Sequence, residues 1–148
     1  MNPRPTNPKD YLKQVAFAER EIKTLRARLA HYEDLGLTVT SHFTDTPVSH
    51  SKGSSRVETA AVGIVDTLSA IQGQIGAYKV IIDDAEKMIS KIPQETYRRL
   101  LTLRYLAGMS FRSVSDELGY SDRNSVYRAH GWALLELQHV LEEDGIGE

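Results

Sequence analysis

Between Val57 and Ile92, eleven positions recur at alternating intervals of four and three residues: Val57, Ala61, Ile64, Leu68, Ile71, Ile75, Tyr78, Ile82, Ala85, Ile89 and Ile92. That spacing keeps one apolar stripe facing one partner along a helix, and a strand, with its period of two, cannot use it. A shorter stripe of the same grammar precedes it: Tyr11, Val15, Ala18, Ile22, Leu25, Leu29 and Tyr32. Asn7 as N-cap and Pro8 at the first helical position mark where this earlier helix begins, and Gly36 is the expected stop. Two seams in one chain predict a helical hairpin, coiled-coil-like in its pattern. The second stripe outruns the first, so the surplus predicts self-association.

The segment between the helices, residues 37–56, is rich in Ser and Thr, and is read as a flexible connection. Within the second helix, Gly63, Gly73 and Gly76 each cost about 1 kcal/mol relative to Ala. Their presence predicts close helix approach or a local kink. Pro93 interrupts the helical pattern, and shorter elements follow. Tyr97, Leu100, Leu101, Leu103 and Leu106 form an apolar side that ends at Gly108. Ser110 caps a helix with Phe111, Val114 and Leu118 on one face, closed by Gly119. Ser121 or Asp122 caps a last helix with Val126, Ala129, Ala133, Leu134, Leu137 and Leu141 inward. No segment alternates with period two for long. The predicted fold is all-α: a hairpin over 1–92, then a helix-turn-helix domain over 93–148.

Charge is uneven along this plan. The formal net charge is -2, yet residues 93–135 carry Arg98, Arg99, Arg104, Arg112, Arg123 and Arg128 against four acids, and residues 136–148 carry five acids and no base. A basic segment with an acidic tail is compatible with nucleic-acid binding. The helix Phe111–Leu118, a Gly-containing turn and a capped second helix follow helix-turn-helix grammar, which an ordinary three-helix bundle shares. The surface of the last helix favours the DNA-binding reading, although a merely solvated face also shows one Arg and one Asn. With Val126 inward and roughly 100° per residue, Asn124, Tyr127, Arg128 and Gly131 fall on the opposite face, with Arg123 at its margin. Arg pairs bidentately with guanine, Asn with adenine, and Tyr reaches phosphate or a thymine methyl. Arg112 and Ser113 open the preceding helix, where a cation and helix amides meet phosphate. His130 falls about 40° from Val126 and is placed behind this face.

Leu100 to Leu137 resembles region four of bacterial sigma factors and, more closely, the phage-encoded ArpU/RinA-like transcriptional regulators. The matching pieces are Leu103-Arg104-Tyr105, Gly108-Met109-Ser110, Leu118-Gly119-Tyr120-Ser121 and Val126-Tyr127-Arg128-Ala129-His130. The resemblance covers about a quarter of the chain. It implies binding to phage or prophage promoters and regulation of late or lysis-related genes. This chain departs from the family spacing, with five residues from Ser121 to Val126 where four are expected. Either Asp122 is the true N-cap of a longer turn, or the helix begins differently. Arg123 then stands in reserve for Arg128 as a base reader.

Other chemistries find little support. There is no Cys, so disulfides, thiolate metal sites and Cys nucleophiles are excluded together. His42 and His50 lack a carboxylate framework, so no metal site is expected. Asp83-Asp84 and Glu142-Glu143-Asp144 are adjacent acids, not a facing dyad, and no phosphate loop, GxSxG or HExxH occurs. No catalytic residue and no cofactor is expected. Met1–Asp10 lacks an apolar h-region, and no apolar run reaches the roughly 18 residues of a membrane span. The expectation is a cytoplasmic, homo-oligomeric regulator that binds double-stranded DNA through Arg112, Ser113, Ser121, Arg123, Asn124, Tyr127 and Arg128. RNA polymerase is a further candidate partner. The rivals are a phage small-terminase-like packaging subunit and a coiled-coil adaptor that docks on RNA polymerase. Trp132 is expected either to cover the bundle edge or to meet a partner protein.

Overall fold

The computed structural model describes residues 4–45 and 53–146. Among these residues there are five α-helices and no strand, as an all-α plan requires. They are α1 (Pro8–Asp45), α2 (Gly53–Ser90), α3 (Glu95–Leu101), α4 (Phe111–Leu118) and α5 (Arg123–Ile146), with a π-helical turn at Thr102–Leu106 directly after α3.

Local chemistry sets most of the boundaries. Asn7 Oδ1 accepts from the Lys9 amide at 2.8 Å, and its carbonyl accepts from Tyr11 at 3.0 Å, so the cap and Pro8 start α1 together. Gly36 does not stop this helix, which continues through it to Asp45. Glycine ends a helix by taking the left-handed conformation, and only Gly108 and Gly119 do so among the described residues. Thr38 donates its hydroxyl to the Asp34 carbonyl at 3.0 Å, so a residue read as loop is accommodated inside the helix. The flexible connection expected over 37–56 is therefore mostly helical; residues 46–52 lie outside the described set.

After α2, Arg98 donates to the carbonyls of Ile92 and, at 2.8 Å, of Pro93, closing the turn into α3. At the π turn, Ala107 donates to the Thr102 carbonyl five residues back at 2.9 Å. Gly108, at φ 71°, then reverses the chain. Ser110 Oγ caps α4 by accepting from the Ser113 amide at 3.1 Å, and Gly119, at φ 80°, ends it.

The helices sort into two compact units: the chain up to Arg20 with everything from Lys79 onward, and Glu21–Tyr78. Packing thus divides elsewhere than the 92/93 boundary read from the pattern, because the ends of both long helices belong with the C-terminal helices. In the first unit Tyr11, Leu12, Val15, Ala85, Met88, Ile89 and Ile92 join Leu100, Leu101, Val114 and Val126 in one core. Ala129, Ala133, Leu134, Leu137, Val140 and Leu141 line α5 against it. Phe111, Leu118, Leu103 and Leu106 pack half-buried around its edge. In the second unit the seams are as predicted but shallower: Ile22, Leu25 and Ile71 are buried, while Leu29, Tyr32, Ile64, Leu68 and Ile75 are half-buried. A Cβ added at Gly63, Gly73 or Gly76 would meet nothing within 4 Å, so these glycines permit no close approach within the chain.

Candidate nucleic-acid interface

The helix-turn-helix is assembled in the first unit. Val114 of α4 and Val126 of α5 are fully buried, and Gly119–Asp122 make the turn between the helices. Asp122 resolves the N-cap alternative: its Oδ1 accepts from the Ser125 amide at 2.7 Å. The hydrogen bonds from Ser125 hold its carboxyl below the usual carboxylate range. The turn is therefore the longer one, with the acid committed to the helix end and Arg123 as the first residue of α5. Ser121, outside the helix, is exposed.

All seven predicted contact residues, Arg112, Ser113, Ser121, Arg123, Asn124, Tyr127 and Arg128, are exposed. Among the described residues, no ion pair ties down Arg112, Arg123 or Arg128. Two of the other arginines of this segment are engaged: Arg98 closes the turn between α2 and α3, and Arg104 donates to the Met109 carbonyl at 2.9 Å. The Arg104 guanidinium also stacks over the Phe111 ring at 4.3 Å, a cation–π contact. The Ser113 hydroxyl accepts from Ser110 Oγ at 3.1 Å, which leaves its own proton for an outside acceptor. Arg128 turns its Nε toward the Asn124 carbonyl at 3.5 Å, too long for a strong bond, so the side chain is weakly held.

Behind this face stands a chain of rings that sequence reasoning did not find as a unit. Tyr127, 49% exposed, packs edge-on to Phe111 with centroids 5.1 Å apart. Phe111 meets His130 edge-on at 4.9 Å, and His130 stacks with Tyr105 at 5.8 Å. The Tyr105 hydroxyl lies 2.7 Å from His130 Nε2. His130 is half-buried behind the exposed face of α5, where its rotation from Val126 placed it. Burial, and then the charges of Arg104 and Lys9, push its pKa down. Burial likewise raises the Tyr105 pKa, so that phenol stays protonated and able to donate. The missed signal was the spacing of Tyr105, Phe111 and His130 across three elements, which no single-helix periodicity registers.

Two further sites differ from expectation. Asp84 and Asp144, read as members of two separate runs of adjacent acids, are brought together by Arg4: Nη2 contacts Asp144 at 2.6 Å and Nη1 lies 3.5 Å from Asp84. Lys91 adds a contact to Asp144 at 3.0 Å, and the Tyr11 hydroxyl donates to Asp84 at 2.6 Å. Trp132 does not cover the bundle edge; it is 60% exposed, with Leu135 at 49% one turn further along α5. No metal-binding cluster of His, Asp or Glu occurs among the described residues, and the side chains of His42 and His50 lie outside them. No described helix is long and apolar enough to cross a membrane.

Comparison with known proteins adds no relative: no family model, no curated protein and no solved structure matches the chain. What the fold defines is an all-α chain whose C-terminal helices form a helix-turn-helix with a polar, arginine-bearing outer face.

Proposed function

We propose that the chain is a sequence-specific DNA-binding transcriptional regulator of phage or prophage genes, a late-gene activator of the ArpU/RinA-like kind. The observation that carries this reading is the exposed set Arg112, Arg123, Asn124, Tyr127 and Arg128 around one turn, with the apolar side of both helices buried behind it. Residues at the start of a second helix are the ones that enter a major groove, while those opening the first meet phosphate. Asp122 stays ionised at this turn, and the helix amides it caps offset part of its charge.

The protein acts in the cytoplasm as a homo-oligomer. Its free arginines are few, so one module holds DNA weakly and several together supply affinity. It performs no catalysis and needs no cofactor. A second reading draws on Trp132 and Leu135: an apolar pair this exposed on α5 favours a protein partner, and in the adaptor alternative that partner is RNA polymerase. The small-terminase alternative is weaker, because those proteins usually place the DNA module first.

Mobility shifts on fragments of the source genome, repeated over a salt series, test the reading. Affinity should fall steeply with salt, since log affinity declines by about 0.9 per phosphate neutralised for each decade of salt. Complexes unchanged between low and physiological salt, or no bound fragment at all, would remove DNA binding and leave the adaptor.

A further inference from the structure

We propose that Tyr105 and His130 are positioning residues for the outer face of α5: their hydrogen bond seats the imidazole against Phe111, and Phe111 seats the ring of Tyr127. The proposal rests on the DNA-binding reading for its consequence, but its geometry stands apart from that reading. Four rings run in contact from the π turn to the exposed face, at 5.8, 4.9 and 5.1 Å between successive centroids. Arg104 joins the assembly, its guanidinium over Phe111 and its Nη1 on the Met109 carbonyl.

The π turn has a part in this. A five-residue ring between Thr102 and Ala107 inserts one residue into the helical repeat. Arg104 and Tyr105, successive residues within it, then meet Phe111 and His130 respectively. Single π turns of this kind are frequent at functional sites.

Protonation changes what His130 does there: Nε2 becomes a donor only, and the Tyr105 hydroxyl must turn to accept from it. The groups that act on it are Tyr105 and Arg104 from the π turn, Phe111 from α4 and Lys9 from α1. Both charges in that set are positive, so an imidazolium finds no carboxylate there and meets repulsion in a half-buried place. Protonation therefore loosens the stack, and Tyr127 with its neighbours loses its fixed pose. His is the side chain whose ordinary titration falls between about pH 5 and 8, which makes the contact readable by experiment.

The test uses the full chain and a fluorescein-labelled duplex selected from random-sequence DNA. His130→Gln keeps an acceptor for Tyr105 but cannot be protonated; His130→Ala removes both functions. Between about pH 7.5 and about pH 5.5, the native protein should lose affinity relative to His130→Gln, by less than about tenfold because the His130 pKa lies below its ordinary value. At about pH 7.5, His130→Ala should lose the preference for selected over unselected duplex, and His130→Gln should restore it. In the free protein, backbone amide resonances of Asn124, Tyr127 and Arg128 should follow the His130 titration, and the same amides should stay flat in His130→Gln. Flat amides in the native protein overturn the proposal, whatever the DNA result. So do identical pH profiles of binding for native protein and His130→Gln. Moving amides without DNA binding at any pH would uphold the positioning contact and remove the DNA-binding reading instead.

Discussion

The two compact units use the same heptad grammar and reach different depths of burial. Val15, Ala18, Ala85, Ile89 and Ile92 are almost wholly excluded from water in the unit that also holds α3, α4 and α5. Glu21–Tyr78 holds parts of α1 and α2, and there Leu29, Ile64, Leu68 and Ile75 stay half-exposed on a seam of the same pattern. A heptad stripe thus specifies direction, while depth depends on whether a third element closes over it. Val62 at 60% and Val65 at 59% exposure show the same unit presenting apolar surface outward. Small two-helix assemblies gain little stability alone, because the buried fraction of a chain falls with its size.

The sharpest way to break this comparison is to charge the thinner seam. Ile71→Asp with Ile75→Asp puts carboxylates on the inner stripe of the second unit, where Ile71 is 2% exposed. A buried, unpaired charge costs more than roughly 3 kcal/mol, so circular dichroism should show lost helix and sizing a smaller or expanded species. Native melting with an unaltered oligomer would mean that this seam contributes nothing.

Next comes a matched pair of truncations. Leu137→Ala, fully buried in the first unit, should cost about 2–5 kcal/mol in chemical denaturation, while half-buried Leu29→Ala in the second should cost about half as much. Equal costs would erase the difference in depth.

A third comparison separates reading from positioning on the outer face. Arg128→Ala should cost about 1–3 kcal/mol on the cognate duplex and relax preference at one base position. Arg112→Ala should weaken all sequences about equally and reduce the salt slope by about one. If neither changes preference while the fold persists, Arg123→Ala is the remaining candidate, and an unchanged preference there removes α5 as the reader.

Gly73→Ala and Gly76→Ala come next. Nothing lies within 4 Å of an added methyl, so each should stabilise the isolated chain by up to about 1 kcal/mol. A fall in melting temperature together with loss of oligomer would place a second copy on that side of α2.

The smallest effect belongs to Arg4→Ala. Arg4 and Lys91 hold the Asp144 carboxyl below its ordinary value, so the unfolded chain takes up that proton first as pH falls. The contribution is thus present above the ordinary carboxylate range and lost as pH drops through it. Arg4→Ala should lower the melting temperature slightly near neutral pH, and not at all in strong acid or high salt.

Much of the fold was legible residue by residue. The inward positions Val126, Ala129, Ala133, Leu134, Leu137 and Leu141 are all buried, and both left-handed glycines lie where a helix end was read. Leu12, Met88 and Val140 are buried as well, though no stripe predicted them. They fill space that exists only once other helices have packed against α1, α2 and α5. Gly36 failed as a stop because a stopping glycine takes a positive φ, and α1 instead runs through Gly36 in helical conformation to Asp45.

The local signals were sufficient where a single helix settles the matter. The period of the two stripes, the Asn7–Pro8 start and the Ser110 cap each depend on neighbours a few residues away, and all were readable from the chain. Tertiary structure alone decided the contacts between distant residues: Arg4 bridging Asp84 and Asp144, and Tyr105 meeting His130 across 25 positions. Such pairs carry no periodicity, since their geometry is set by how packed helices cross. The choice of Asp122 over Ser121 as cap is local, yet the chain left it open: either side chain could bond an amide, and the start of α5 at Arg123 selects between them.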